Sequence, residues 1–311
     1  MACWAEAAAS IPGDGCVRRF PAPGQAIPRP RGGIRCSREH RRWCRVKLTV
    51  IGATGSMSGP QSPASSYLIQ ARGIDPQSGG ERVFSLVCDL GPGSFGALWT
   101  HVCPCDLDAL ALSHCHADHM GDIISLQVYR KWGPGSCALR PVSLFGPAET
   151  ICRVRQIEGA TDDESYEAEF AFTHMQLGES YAVGPMTIRP FRALHPVEAF
   201  GLRIEGPAED DPSRRVSLFY TGDTDLCDTI VEGASGVDVL LSEVGFTSEA
   251  TEPDMHMDGL RAGTLATRAG VGRMIATHIQ PWTPRERVAS EIRQAWSGPL
   301  EFAVSGMEVS L

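Results

Sequence analysis

His114-Cys115-His116-Ala117-Asp118-His119 packs four metal-ligand side chains into six residues at the spacing H-x-H-x-D-H. Ahead of it runs Leu107-Asp108-Ala109-Leu110-Ala111-Leu112-Ser113, an apolar stretch short enough to be a buried strand. Behind it, Ile123, Ile124, Val128 and Trp132 recur at close to helical spacing within Met120–Trp132. The ligand types are therefore expected on a strand-to-helix loop at the edge of a sheet, where a site can be both rigid and open. In an extended stretch His114 and His116 project to one side and Cys115 to the other. Neutral imidazole and carboxylate at this density suit zinc or a similar divalent ion. A solvated His-rich loop is the competing reading, and residues further along the chain decide against it.

Those residues stand singly at the ends of apolar strands. His195 follows Phe191-Arg192-Ala193-Leu194, and Asp223 lies in Tyr220-Thr221-Gly222-Asp223-Thr224 after the strand Val216–Tyr220. His278 ends Arg273-Met274-Ile275-Ala276-Thr277. Alone, each would serve as a turn or capping residue. Together with the His-rich loop they supply seven ligands, enough for two ions sharing one carboxylate.

On these motifs the chain resembles metallo-β-lactamase-fold hydrolases from Val46 to the C-terminus. The resemblance implies an α+β fold, a four-layer αββα sandwich. It also implies that His114, His116 and His195 bind one ion, that Asp118, His119 and His278 bind a second, and that Asp223 bridges them. Asp89 matches the family's early aspartate, which orients the ligand loop and does not bind metal. Asp223 stands where antibiotic-hydrolysing members with a cysteine ligand carry that cysteine, which argues against a β-lactamase. Two divalent ions are implied, Zn2+ first, with Mn2+ or Fe also compatible with these ligands. Such a pair, roughly 3.5–4 Å apart, clamps a phosphoryl group and holds a hydroxide available at neutral pH.

Within the fold, Ser242-Glu243-Val244 and His256 resemble the tRNase Z branch, where a glutamate and a histidine pair beside the leaving group. Gly52-Ala53-Thr54-Gly55-Ser56 and Cys88-Asp89-Leu90-Gly91 fit that branch as well. A Gly-rich loop after a strand also suggests a dinucleotide site, but no G-x-G-x-x-G and no helix pattern follow it. A closer similarity is to actinobacterial cyclic-nucleotide phosphodiesterases. It rests on Gly59-Pro60-Gln61-Ser62-Pro63-Ala64-Ser65-Ser66-Tyr67-Leu68, on Ala193-Leu194-His195-Pro196-Val197-Glu198-Ala199-Phe200-Gly201-Leu202-Arg203-Ile204 and on Thr277-His278-Ile279-Gln280-Pro281-Trp282. That likeness implies hydrolysis of 3′,5′-cAMP or cGMP to the 5′-monophosphate. Asp118, Glu243 and His256 are then the expected catalytic groups. The alternatives are a tRNA 3′-processing endonuclease, or a lactonase or thioesterase on the same ions. Trp282 is either a platform for the purine or a loop aromatic covering the core.

Charge separates the first two readings. The 311 residues carry a net charge of −9, and residues 1–45 hold nine arginines against three acidic residues. The remaining body therefore carries −15. Many tRNA-processing relatives bear a long basic arm between the third histidine and the bridging aspartate. Here His195 and Asp223 are only 28 positions apart, with Glu205, Glu209, Asp210 and Asp211 set against Arg203, Arg214 and Arg215. That body lacks the attraction on which nucleic-acid affinity chiefly rests. A small cyclic nucleotide is the expected partner, nucleic acid is disfavoured, no membrane partner is expected, and a homodimer is allowed.

Residues 1–45 are rich in Pro, Gly and Arg without apolar period, and read as a disordered extension ahead of one catalytic domain, 46–311. No apolar run approaches bilayer length, and eleven cysteines without regular spacing fit a reducing compartment, so a cytoplasmic location is expected. Further strands are expected at Val46–Ile51, Ser66–Gln70, Val83–Leu90, Val142–Phe145, Phe170–Gln176, Met186–Leu194, Gly201–Glu205, Val237–Ser242 and Glu301–Val304. Two groups of strands, each closed by helices, predict two packed sheets with helices outside.

Overall fold

The computed structural model describes residues 46–133, 140–208, 213–250 and 252–311. The basic segment 1–45, Glu209, Asp210 and Asp211 lie outside the described residues. Two seven-stranded sheets form the centre. The first runs β14 (Glu308–Ser310), β1 (Lys47–Gly52), β2 (Ser66–Ile74), β3 (Glu81–Cys88), β4 (Ala109–Ala111), β5 (Val142–Gly146), β6 (Phe170–His174). The second runs β13 (Leu300–Phe302), β12 (Arg273–Thr277), β11 (Val239–Glu243), β10 (Arg215–Tyr220), β9 (Phe200–Pro207), β8 (Met186–Arg192), β7 (Tyr181–Val183).

The period-2 alternation of strand side chains explains the layering. On β2, Tyr67 and Ile69 join the core between the sheets, while Leu68 faces the helices on the other side. On β10, Leu218 and Tyr220 point inward and Phe219 outward. The inner core thus takes residues from both sheets. A second core lies under α1 (Ser94–Trp99), α2 (Ala117–Met120), α3 (Ile123–Trp132) and α4 (Thr150–Glu158). A third lies under α5 (Asp228–Gly233), α6 (Gly259–Ala269) and α7 (Arg285–Arg293). Three cores between four layers make the αββα sandwich expected above. β11, between parallel neighbours and covered on both faces, is buried at all five positions, which is why Val-Leu-Leu reads as an unbroken apolar run. On α6, Asp258 caps the start by accepting the amide of Arg261, and Gly270 ends it at φ 64°.

Strand direction gathers the ligands. β8 and β10 both run antiparallel to β9, so they point the same way, and β10, β11 and β12 are parallel. His195, Asp223, Glu243 and His278 therefore emerge at one edge of the second sheet. In the first sheet β3 and β4 are parallel, so Asp89 and the His-rich loop share an edge. Ligand sites of sheets with parallel strands belong at these carboxyl ends.

Some expectations need correction. The helix expected over Met120–Trp132 is split into α2, which already includes Asp118 and His119, and α3. Only Ala109–Ala111 of the expected strand Leu107–Ser113 pairs in the ladder. The edge strands β7 and β14, three residues each, went unread because so short a stretch shows no period. Cys88, Cys103, Cys115, Cys152 and Cys227 are free thiols, and Cys105 is disulfide-bonded. No helix among the described residues is long and apolar enough to cross a membrane.

Candidate metal centre

Asp89 organises the loop between β4 and α2. It is fully buried and follows β3 at φ 58°, a left-handed conformation that costs a non-glycine residue about 1–3 kcal/mol. Its Oδ1 accepts the amide of Ser113 at 2.7 Å. Its Oδ2 accepts the Ser113 hydroxyl at 2.7 Å, the Tyr220 hydroxyl at 2.6 Å and Nδ1 of His119 at 2.7 Å. Both oxygens of this carboxylate are thus engaged in orienting other groups, the part the resemblance implies for it. Gly91, two residues on, lets the chain pass against α2, since a Cβ there would stand 1.9 Å from the Asp118 carbonyl oxygen.

Around this hub the imidazoles are turned to present lone pairs inward. The Ser113 hydroxyl donates to Asp89 and so accepts from Nδ1 of His114 at 3.0 Å, leaving Nε2 of His114 facing the site. Nε2 of His114 lies 3.1 Å from Nδ1 of His116, which lies 3.1 Å from Nε2 of His195. His195 is held from behind, its Nδ1 donating to the Met255 carbonyl at 2.9 Å. Burial, together with the charge of neighbouring imidazoles, pushes the pKa of His114 well below the usual imidazole range. Burial likewise lowers His116, and takes His195 to about 4. Three neutral rings thus converge their nitrogens. Cys115 points away into the core, its thiol pushed up to about 12 by burial.

The second group gathers Asp118, His119, Asp223 and His278. Nε2 of His119 lies 3.3 Å from Oδ2 of Asp118, 3.2 Å from Oδ1 of Asp223 and 3.3 Å from Nε2 of His278. Oδ2 of Asp223 is 3.3 Å from Nε2 of His278 and 3.8 Å from Nε2 of His114, so this carboxylate stands between the two groups. Burial opposes a charge on His119, but Asp223, Asp118 and Asp89 outweigh it and hold its pKa well above the usual range. Burial also works against ionised Asp118 and Asp223, yet the surrounding imidazoles keep both far below the ordinary carboxylate range.

His256 stacks on His278, with ring centroids 5.3 Å apart, and its Nδ1 lies 3.1 Å from Oε1 of Glu243. Glu243 is fully buried and already accepts the amides of Thr224 at 2.7 Å and Gly245 at 2.9 Å. Although Glu243, His256 and His278 are close enough to hold an ion, these bonds make Glu243 an orienting group for His256.

The donor set fits divalent metal. Three neutral imidazole nitrogens meet in one group, and two carboxylates face two imidazoles in the other. Oδ1 of Asp223 is buried and, although Nε2 of His119 lies 3.2 Å away, makes no well-aligned hydrogen bond, so a cation there would compensate its charge. His114, His116 and His195 would hold one ion, Asp118, His119 and His278 another, with Asp223 between. When bound, such ions lower the pKa of water and offset phosphate charge.

All nine residues singled out in the sequence come together. Missed were Tyr220 and Ser113, which connect through Asp89, and the Met255 carbonyl behind His195. Gly55 lies against His278, where a Cβ would meet its Nδ1 at 2.5 Å, so the Gly-rich loop makes room for a ligand. Trp282 is 69% exposed, which removes the reading that it covers the core.

Comparison with known proteins agrees with this geometry. A family model described as Beta-lactamase superfamily domain matches residues 86–279. The uncharacterized protein Rv1339 of Mycobacterium tuberculosis is 40% identical over 262 residues, covering 83% of this chain and 90% of the relative. The probable metallo-hydrolase YhfI of Bacillus subtilis is 28% identical over 267 residues, covering 84% of this chain and 98% of the relative. Its crystal structure, at 25% identity, aligns with a TM-score of 0.71 over 86% of this chain and 100% of that one. Ribonuclease BN of Escherichia coli is 27% identical over 243 residues, 61% of this chain and 77% of the relative.

Proposed function

Because the chain belongs to the beta-lactamase superfamily and is a metal-dependent hydrolase, we propose that its substrate is a small phosphodiester, a 3′,5′-cyclic nucleotide opened to the 5′-monophosphate. The observation that carries this reading is the Glu243–His256 pair beside His278. A thioester expels a thiolate, which needs little help, whereas a lactone expels an alkoxide and is separated by the assay below. The 3′ alkoxide of a ribose is a poor leaving group, and a carboxylate-oriented imidazole next to the ligand cluster is suited to protonate it. Burial disfavours charge on His256, but Glu243 outweighs it and lifts its pKa to about 9, so the ring carries a proton at neutral pH.

The acidic body supports a small substrate over tRNA, as does the short connection from β8 to β10. Likeness to a protein named a ribonuclease supports phosphodiester chemistry and keeps tRNA 3′ processing as the second reading. A hydrolysis assay of the metal-loaded protein against 3′,5′-cAMP, cGMP, 2′,3′-cyclic nucleotides, a homoserine lactone and precursor tRNA separates these. Turnover of a 3′,5′-cyclic nucleotide well above the others is expected, and preferred cleavage of precursor tRNA would replace this reading.

Trp282, exposed on the loop after His278, is the proposed platform for the purine. Stacking contributes roughly 1–3 kcal/mol per base, so Trp282→Ala should raise KM for cAMP about tenfold with kcat little changed. Unchanged KM would remove the platform.

A further inference from the structure

His256 sits in segment 244–258, which joins β11 to α6 with no helix or strand among its described residues. Such a segment does not hold a side chain in place by itself, so its attachments matter. Asp225 accepts the amide of Asp254 at 3.0 Å, where the chain turns through φ 59°. His195 holds the Met255 carbonyl. Val244 donates to the Thr277 carbonyl at 2.9 Å and Gly245 to Glu243 at 2.9 Å. A further attachment comes from Glu291 on α7, a residue 4% exposed. Its carboxylate accepts the amide of Ser248 at 3.1 and 3.2 Å and the Ser248 hydroxyl at 2.8 Å. It also accepts the amide of Gly259 at 3.3 Å, on the far side of His256. Nε of Arg287, one turn earlier on α7, keeps it in place at 3.1 Å. Gly259 permits the approach, because a Cβ there would stand 2.6 Å from that of Glu291.

We propose that Glu291 is a positioning residue for His256: one buried carboxylate grips the segment on both sides of the histidine and fixes where its ring stands. This rests on the reading that His256 protonates the leaving oxygen. A carboxylate that merely held α6 against α7 would affect stability and all substrates alike. A positioning group acts through His256 alone, and a displacement of about 1 Å at a reacting group can cost on the order of 100-fold in rate.

The test compares Glu291→Gln, His256→Ala and the double variant, each metal-loaded, on 3′,5′-cAMP and on bis(p-nitrophenyl) phosphate. For Glu291→Gln, kcat on cAMP should fall roughly 10- to 100-fold with KM and metal content kept, and the nitrophenyl ester should be nearly unaffected. In the His256→Ala background the same substitution should cost little more, because both changes remove one function. Equal losses on the two esters, or additive losses in the double variant, would overturn the inference. Leaving-group dependence in His256→Ala but not in Glu291→Gln overturns it alone, whereas its absence from His256→Ala overturns the acid reading as well. Should Glu291→Gln fail to fold, Ser248→Ala removes a single bond of the grip and should show a smaller selective loss on cAMP. An unselective loss in that variant would overturn the inference.

Discussion

Asp223→Ala is expected to reduce turnover to background and to lower the metal content of the purified protein at both groups of ligands. Its carboxylate lies within 4 Å of imidazoles from both groups, His114 on one side and His119 and His278 on the other. Its Oδ1 is buried and faces Nε2 of His119 at 3.2 Å without a well-aligned hydrogen bond, which leaves it available to a cation. Removing it leaves His119 with Asp118 and Asp89 alone and takes away the negative charge shared between the groups. The protein should still fold, since Asp89, Ser113 and Tyr220 hold the ligand loop without it. Metal analysis beside a rate measurement checks this. Full metal loading with a normal rate would overturn the placement of Asp223 between two ions.

The cluster of candidate ligands was legible in the sequence because His and Asp stand at the ends of strands that are strongly apolar. H-x-H-x-D-H announces itself locally, and His195, Asp223 and His278 gain meaning only as a set. What stayed hidden is whatever depends on contacts distant in sequence. Tyr220 reads as one more core aromatic of β10, yet its hydroxyl reaches Asp89, 131 positions earlier. Glu291 reads as one charge on a polar helix, and only the packing of α7 beside α6 reveals that it grips Ser248 and Gly259. The split between α2 and α3 was missed for a related reason. Apolar spacing marks which face is buried, and says little about where the axis breaks.

The second large effect is expected at His256. Its Nδ1 is held by Glu243, which leaves Nε2 on the opposite edge of the ring, and the ring stacks on His278 next to the ligand cluster. As the phosphorus–oxygen bond of a cyclic nucleotide breaks, the departing 3′ oxygen needs a proton. His256 can donate one because Glu243 keeps its pKa, at about 9, above neutral pH and stabilises the charged ring before transfer. Positioned general acids contribute typically 10²–10⁴-fold, so His256→Ala should lose about that much in kcat on cAMP while keeping its fold and its metal. A p-nitrophenolate leaves without protonation, and the loss on bis(p-nitrophenyl) phosphate should be far smaller. Raising the pH should also depress kcat for cAMP in the parent protein as His256 deprotonates, a limb that His256→Ala should lack. Equal losses on both substrates would mean that His256 places the phosphate or supports the ligands, and the acid role would fall. Glu243→Gln offers a graded version of the same test. It keeps an acceptor for Nδ1 but removes the negative charge that raises the pKa of His256, so the alkaline limb should move to lower pH and kcat on cAMP at pH 7 should drop.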